Sequence, residues 1–167
     1  AADQGHADAQ CNLGLMYRNG WGVPEDDAEA VKWYRLAADQ NNPHAQLNLG
    51  VMYEAGRGVT KDYAEAVKWY RRAADQNYPM AQTNLGVMYE GGRGVTKDYG
   101  EAVKWYRKAA DQNVARAQTN LGVLYENGRG VTADLAEAPK RYGVLVAEIE
   151  QIQQILDALC ETEEVRA

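Results

Sequence analysis

The sequence has 167 residues, with 18 Lys or Arg and 24 Asp or Glu, so its formal net charge is −6. This length fits one domain, or one domain with a small appendage. The negative charge argues against general nucleic-acid binding, which needs a basic face, and against electrostatic docking on an anionic membrane. No apolar run approaches the roughly 20 residues of a membrane span. The two cysteines exclude a disulfide framework and a four-cysteine zinc site.

A period of 36 residues organises the chain. The run Ala-Ala-Asp-Gln opens the sequence and recurs three times at this spacing, and Leu13, Gly14 and Tyr17 recur with the same period. Residues 45–76 and 81–112 differ at only four of 32 positions, which indicates duplication. We expect four repeats starting near residues 7, 43, 79 and 115, preceded at 1–5 by a truncated helix end. A signal segment would lie upstream of this fragment.

Each unit is predicted to be a pair of helices, as the second unit illustrates. Pro43 favours a helix start, and Gly56 and Gly58 end that helix because Gly accepts the left-handed conformation of a C-cap. Asp62 and Glu65 form a capping-box pattern that starts the second helix. The first helix has an apolar face formed by Ala45, Leu49, Met52 and Tyr53. The second has an inward stripe formed by Ala66, Tyr70, Ala73 and Ala74.

A single helix pair cannot bury both of its faces, whereas stacked pairs can, so the repeats predict an α-solenoid. No alternating β-branched run occurs, and strands are not expected. Gly50 and its equivalents lie inside a helix, where each costs about 1 kcal/mol relative to Ala. Their recurrence predicts close backbone contact between neighbouring helices.

The repeated residues also carry a family resemblance. Ala-Gln-x-Asn-Leu-Gly-x-Met-Tyr, then Gly-x-Gly-Val, then Glu-Ala-Val-Lys-Trp-Tyr-Arg-x-Ala-Ala resembles the Sel-one-like repeat (SLR) of the tetratricopeptide-like (TPR) superfamily, over residues 1 to about 142. The resemblance implies an all-α, right-handed α-solenoid whose first helices line the concave side. It implies a scaffold or adaptor rather than an enzyme. It also suggests a bacterial source, and leaves periplasmic, secreted and cytoplasmic locations open. One branch of the family pins its helix pairs with disulfides, for which this chain lacks the Cys pairs.

The repeat pattern decays in the fourth unit, where Pro139 and Arg141 replace the Val and Trp of the other copies. We therefore expect a solenoid at 1–142 and a C-terminal amphipathic helix with a tail at 143–167. That helix carries an apolar stripe at heptad-like spacing, formed by Leu145, Ile149, Ile152, Leu156 and Leu159. The stripe either caps the last repeat or pairs with a partner helix or a second copy.

The sequence offers little catalytic or metal-binding chemistry. Gly56-Arg57-Gly58 and its copies follow no strand and precede no Gly-Lys-Ser/Thr, so helix capping explains them better than a phosphate loop. His6 and His44 are not equivalent positions, and neither a metal nor a cofactor is expected. No nucleophile–base pair has a recognisable spacing, so a hydrolase is only a remote alternative.

Three other residue types recur with the same period. Glu65 and its equivalents are interpreted as helix caps, and Trp69 and its equivalents as packing between repeats rather than a ligand platform. Asn48 and its equivalents either bridge neighbouring helices or contact a bound peptide. Cys11 is expected to be a buried or half-buried thiol.

Comparison of the units with one another points to a variable face of the first helices. The largest changes fall at positions 8, 11, 18 and 19 of the first unit and their equivalents, which share one helix face. By resemblance this face is concave, and we expect a protein or peptide to bind there. The predicted contact residues are Arg18, His44, Leu47, Val51, Glu54, Met80, Thr83, Val87, Glu90, Arg116, Thr119 and Glu126.

Three stacked acids on this face, Glu54, Glu90 and Glu126, favour a basic and partly apolar partner. Relaxed drift of a solvent-facing surface is one alternative interpretation of the variable face. A structural or self-associating element acting through the C-terminal helix is an alternative function.

Overall fold

The computed structural model describes residues 6–130, which form seven α-helices and no strand. The helices are α1 Ala7–Asn19, α2 Asp27–Asp39, α3 Pro43–Ala55, α4 Tyr63–Asp75, α5 Pro79–Gly91, α6 Tyr99–Ala110 and α7 Ala115–Glu126. The odd-numbered helices start at the predicted repeat starts, so the all-α repeat fold and the first three helix pairs are confirmed. The second helix predicted for the fourth unit lies outside the described residues. The proposed C-terminal helix and its stripe, like the helix end at 1–5, lie outside the described residues.

Local chemistry sets the helix boundaries. Pro43 is the first residue of α3, and α3 ends at Gly56 in the left-handed conformation, with φ 71°. The Asp62 carboxylate accepts hydrogen bonds from the backbone N–H groups of Ala64 and Glu65 at 2.9 and 3.0 Å, so it caps α4 as predicted. Each of these signals lies within a few residues of the boundary it sets.

The expected capping box is only half formed. The Glu65 carboxylate pairs with Lys68 in its own helix rather than with the Asp62 N–H. That N–H instead donates to the Tyr53 carbonyl at 3.0 Å. The carbonyl belongs to the preceding helix, so the bond also fixes the turn between α3 and α4. Interpreting Glu29, Glu65 and Glu101 as capping groups was therefore wrong, since each pairs with a Lys three residues on; Glu137 lies outside the described residues.

Each core cluster joins the second helix of one repeat to the first helix of the next. The first cluster combines Tyr34 and its neighbours on α2 with Leu49 and Met52 on α3. Trp69 of α4 packs against this cluster, and Trp105 of α6 is part of the next one. The interpretation of the Trp residues as packing between repeats is confirmed. Because burial crosses the repeat boundaries, each repeat depends on its neighbours.

The helical glycines accommodate tyrosine rings. A Cβ atom added to Gly50 would lie 2.6 Å from both Cδ1 and Cε1 of Tyr70 and 3.3 Å from the Ala66 carbonyl oxygen. Gly14 and Gly86 face Tyr34 and Tyr106 in the same way. The close helix contact predicted from the sequence is confirmed. Its nearest atoms are ring carbons rather than backbone, and it joins the two helices of a single repeat.

Candidate functional site

We define the odd-helix face as the outward side of α1, α3, α5 and α7 together with the Gly-x-Gly loops that follow them. Met80 and Val123 are 44% and 43% exposed on this face. The predicted contact residues that are exposed are His44, Met80, Arg116, Thr119 and Glu126. Those that are half-buried are Arg18, Leu47, Val51, Glu54, Val87 and Glu90.

Thr83 does not belong to this exposed set. Its side chain is buried, with 1% exposure, and its hydroxyl donates a hydrogen bond to the Pro79 carbonyl at 2.9 Å. The comparison of units could not show this, because the equivalent Thr119 is exposed.

Two of the three stacked acids are engaged within the protein. The Tyr70 hydroxyl donates to Glu54 Oε2 at 2.6 Å, and Arg93 Nη1 of the following repeat lies 3.1 Å from Glu54 Oε1. The Tyr106 hydroxyl donates to Glu90 Oε2 at 2.7 Å. Arg93 therefore offsets the charge of Glu54, whereas the neutral Tyr106 hydroxyl leaves Glu90 negatively charged.

These buried phenols have raised pKa values. Burial raises the pKa of Tyr70 well above its usual range, and the hydrogen bond to the Glu54 carboxylate raises it further. Burial also raises the pKa of Tyr34 to about 12, while the positive charge of Arg18 opposes part of the rise. Arg18 occupies the position of Glu54 in the first repeat, so this junction lacks the carboxylate acceptor that Tyr70 has.

The periodic Asn residues bridge repeats. Arg18 Nη1 donates to Asn48 Oδ1 at 3.5 Å, from the first repeat to the second. The Asn84 side chain acts on Tyr70 of the preceding repeat, lowering the pKa of that phenol against the larger effect of burial. The bridging interpretation is confirmed, and contact with a bound peptide stays a prediction.

The Gly-x-Gly loops dock on the preceding repeat. Gly58 has φ +66°, and a Cβ atom there would lie 2.2 Å from the Asp27 carbonyl oxygen, so only glycine fits. The guanidinium of Arg57 donates to both Asp27 carboxylate oxygens at 2.8 Å and to Glu25 at 3.1 Å. The loop therefore ends the first helix of its repeat and also binds it to the preceding repeat.

A chain of amide side chains that the sequence analysis missed also links the repeats. Gln76 Nε2 donates to Gln46 Oε1 at 2.7 Å, and Gln46 Nε2 donates to the Ala38 carbonyl and to Asn41 Oδ1, both at 3.1 Å. Gln112 and Gln82 repeat the first of these bonds at 2.8 Å. The sequence did contain a sign of this chain, because Gln recurs every 36 residues at Gln46 and its equivalents, as regularly as the apolar core residues do.

One cysteine, Cys11, lies within residues 6–130. Cys11 is buried, as predicted, and burial raises its pKa to about 11. Within residues 6–130, no group of three or more His, Cys, Asp or Glu side chains is placed to hold a metal ion. None of the seven described helices has the length and apolar character needed to cross a membrane.

A sequence model of the Sel1 repeat matches residues 7–42, 43–78, 79–114 and 115–138. The chain belongs to the Sel1 repeat family. The helical scaffold of this family is typically non-enzymatic, and the family supports a general role in protein interaction. No protein with curated function matches this Sel1 chain.

Solved structures share the Sel1 architecture. A protective antigen of uropathogenic Escherichia coli with an SLR fold is 48% identical, with a TM-score of 0.83 over 84% of this chain and 30% of that one. A Sel1 repeat protein of Oxalobacter formigenes is 42% identical, with a TM-score of 0.79 over 83% of this chain and 57% of that one. Cysteine-rich protein B of Helicobacter pylori is 25% identical, with a TM-score of 0.59 over 69% of this chain and 89% of that one. The Sel1 chain thus spans 30% and 57% of the first two proteins.

Proposed function

We propose that this Sel1 chain is a protein-interaction scaffold whose odd-helix face binds a protein partner. One observation carries the proposal. The position that varies most among the units, occupied by Asp8, His44, Met80 and Arg116, is exposed in all four. Around it, the Gly–Tyr contacts, the Tyr–Glu bonds and the amide chain recur from repeat to repeat. A constant frame that presents a varied exposed surface is suited to selective binding.

Apolar contacts would supply most of the affinity. Met80 and Val123 are large apolar side chains left partly exposed on the odd-helix face, and burying such groups against a partner is favourable. The half-buried Val51 and Val87 lie on the same face. Exposed ion pairs contribute at most about 1 kcal/mol each, so charges on this face would mainly set the orientation and rate of association.

The test uses three apolar side chains of similar exposure. Leu36 lies on α2 and is 49% exposed, so Leu36→Gln is a matched control for Met80→Gln and Val123→Gln. A partner isolated from the source cell is purified and titrated against each variant. We expect the Met80→Gln, Val123→Gln double variant to weaken binding about tenfold, equivalent to 1.4 kcal/mol. Leu36→Gln is expected to bind as the wild type does. Equal effects of the two changes, or none from either, would refute the proposal.

The alternative function is self-association through the C-terminal segment. It rests on the stripe at 145–159, outside the described residues. Light scattering of the chain with and without residues 143–167 tests it. A change from an oligomer to a monomer on truncation would support it.

A further inference from the structure

The loop arginines have different partners along the solenoid. Arg57 in the second repeat is paired with Glu25 and Asp27 of the first. One repeat later, the equivalents of these two acids are Lys61 and Tyr63. Two repeats later, they are Lys97 and Tyr99. At the places of the two carboxylates, the later repeats thus have an aromatic ring and an ammonium group, and the ammonium group cannot accept a hydrogen bond from the loop arginine.

The later arginines stack on tyrosine rings instead. The Arg93 guanidinium carbon lies 5.7 Å from the centroid of the Tyr63 ring, and Arg93 still reaches the Glu54 carboxylate. The Arg129 guanidinium carbon lies 5.5 Å from the Tyr99 centroid, and the Lys97 ammonium lies 4.7 Å from the same ring. Two cations therefore share one ring at the junction of the third and fourth repeats. A ring offers a cation only about 0.5–1 kcal/mol at an exposed site, so each retains capacity for an anion.

An open cleft of about 520 Å³ lies at this junction on the odd-helix face. Its charged lining residues are Glu90, Arg93, Lys97, Arg116 and Arg129. Four of these are cations, of which Arg93 is already paired with Glu54. The one carboxylate, Glu90, accepts the hydrogen bond from Tyr106 and keeps its charge, so positive charge still predominates in the lining. Arg116 stands where the preceding repeat has Met80, so the cleft gains a cation that the equivalent place one repeat earlier lacks.

We propose that this cleft binds Asp and Glu side chains of a protein segment that lies along the odd-helix face. The proposal rests on the proposed function and names the chemistry of the partner at one end of that face. Guanidinium groups bind carboxylates through paired hydrogen bonds. The Tyr99 ring holds Arg129 and Lys97 in place, which reduces the entropy lost on binding. A net charge of −6 for the whole chain favours a short acidic segment over nucleic acid, which would meet repulsion beyond the cleft. The sequence alone predicted a basic partner from the three stacked acids, and tighter binding of a basic peptide in the test below would favour that prediction instead.

The probe is a fluorescein-labelled peptide of twelve residues, built from Gly and Ser with three Glu. Matched peptides carry Gln or Lys at the same places, and anisotropy is measured with the full chain at 50 and 200 mM salt. Arg116→Met removes one cleft cation from an exposed position. Lys104→Met removes an equal charge from α6, outside the cleft lining, where Lys104 is 68% exposed. Met80→Arg adds a cation at the equivalent place one repeat earlier.

We expect the Glu peptide to bind more tightly than the Gln peptide, and more tightly at low salt. Arg116→Met should weaken binding about threefold to fivefold, within the range of one exposed charge pair, and Lys104→Met should leave it unchanged. Met80→Arg should strengthen it. In arginine side-chain NMR spectra, the Nε–Hε signals of Arg116 and Arg129 should shift with the Glu peptide, while that of Arg57 should not.

Several results would overturn the cleft proposal. The first is an equal effect of Arg116→Met and Lys104→Met on binding of the Glu peptide. The second is tighter binding of the Lys peptide than of the Glu peptide. The third is displacement of the labelled Glu peptide by oligothymidine at a lower concentration than by unlabelled Glu peptide. The two proposals can fail separately. If the natural partner is lost with Met80→Gln and Val123→Gln but unaffected by Arg116→Met, the scaffold function stands and the cleft proposal falls. If the Glu peptide behaves as expected while the apolar variants bind the partner normally, the cleft stands and the broader face does not.

Discussion

The contact between Gly50 and Tyr70 makes a quantitative prediction about stability. Adding one methyl group, Gly50→Ala, places a Cβ atom 2.6 Å from two ring carbons of Tyr70, where ordinary contacts are 3.4–4 Å. The ring cannot move outward freely, because Tyr70 is fully buried and its hydroxyl is bound to Glu54 at 2.6 Å. The Ala66 carbonyl, one turn before Tyr70 on α4, is 3.3 Å from the same Cβ position. Either the ring or the two helices must shift.

Two opposing effects set the magnitude. Alanine is favoured over glycine inside a helix by about 1 kcal/mol, whereas overpacking a dense core costs about 1–3 kcal/mol. Two ring carbons at this distance place the site near the upper end of that range, so we expect Gly50→Ala to lower the free energy of unfolding by about 2 kcal/mol. Gly50→Leu should lower it by more.

Urea denaturation followed by circular dichroism at 222 nm measures this change. Gly100→Ala is the matched control, since it copies Ala64 of the preceding repeat and its Cβ atom meets only Asp98 Oδ1, at 3.2 Å. It should be neutral or stabilising by up to about 1 kcal/mol. In a Tyr70→Leu background, Gly50→Ala should no longer destabilise. If Gly50→Ala is as stable as Gly100→Ala, the account of the close contact is wrong.

Three further perturbations test other parts of the frame. Above pH 10 the fold should lose stability, because burial raises the pKa of Tyr70 and Tyr106, so the folded chain keeps protons that the unfolded chain releases. Each phenol lowers the free energy of unfolding by about 1.4 kcal/mol per pH unit. Urea midpoints that stay constant from pH 9 to 11 would contradict this. Arg57→Gln should lower the free energy of unfolding by about 1 kcal/mol, since the paired groups are partly exposed. An unchanged melting temperature would show that the Arg57 ion pairs do not stabilise the fold. Gln46→Leu leaves buried amide and carbonyl groups without hydrogen-bond partners and should lower the free energy of unfolding by about 1–3 kcal/mol. No change in urea denaturation would show that the amide chain does not stabilise the fold.

The repeat starts and helix ends could be predicted from the sequence because their causes are local. The left-handed Gly56 and the Asp62 cap act within two or three residues of the boundaries they set. The buried stripes follow from helix periodicity, and duplication allowed each signal to be checked in several copies. The outward position of residue 44 and its equivalents was also predictable, because a surface position tolerates variation.

The contacts that were missed join residues about 30 positions apart. Arg57 reaches Asp27 across a repeat boundary, and Gln76 reaches Gln46 on the other helix of the same repeat. No local pattern identifies such partners, so Arg57 was read only as part of a helix stop. The Glu65 error has a similar cause, since the N–H expected to bind its carboxylate is already bound to Tyr53 of another helix. The cleft brings Arg93, Lys97, Arg116 and Arg129 together from α7 and two loops, which the register of the three acids could not show.

Whether a protein partner lies along the odd-helix face is tested most directly by photo-crosslinking with the natural partner. Val123 and Leu36 have similar exposure, 43% and 49%, and lie on an odd and an even helix. Each is replaced in turn by benzoylphenylalanine, and the crosslinked products are mapped by mass spectrometry. We expect the partner to be crosslinked through position 123 and not through position 36. A crosslink through position 36 alone would place the partner on the even helices and contradict the proposed function.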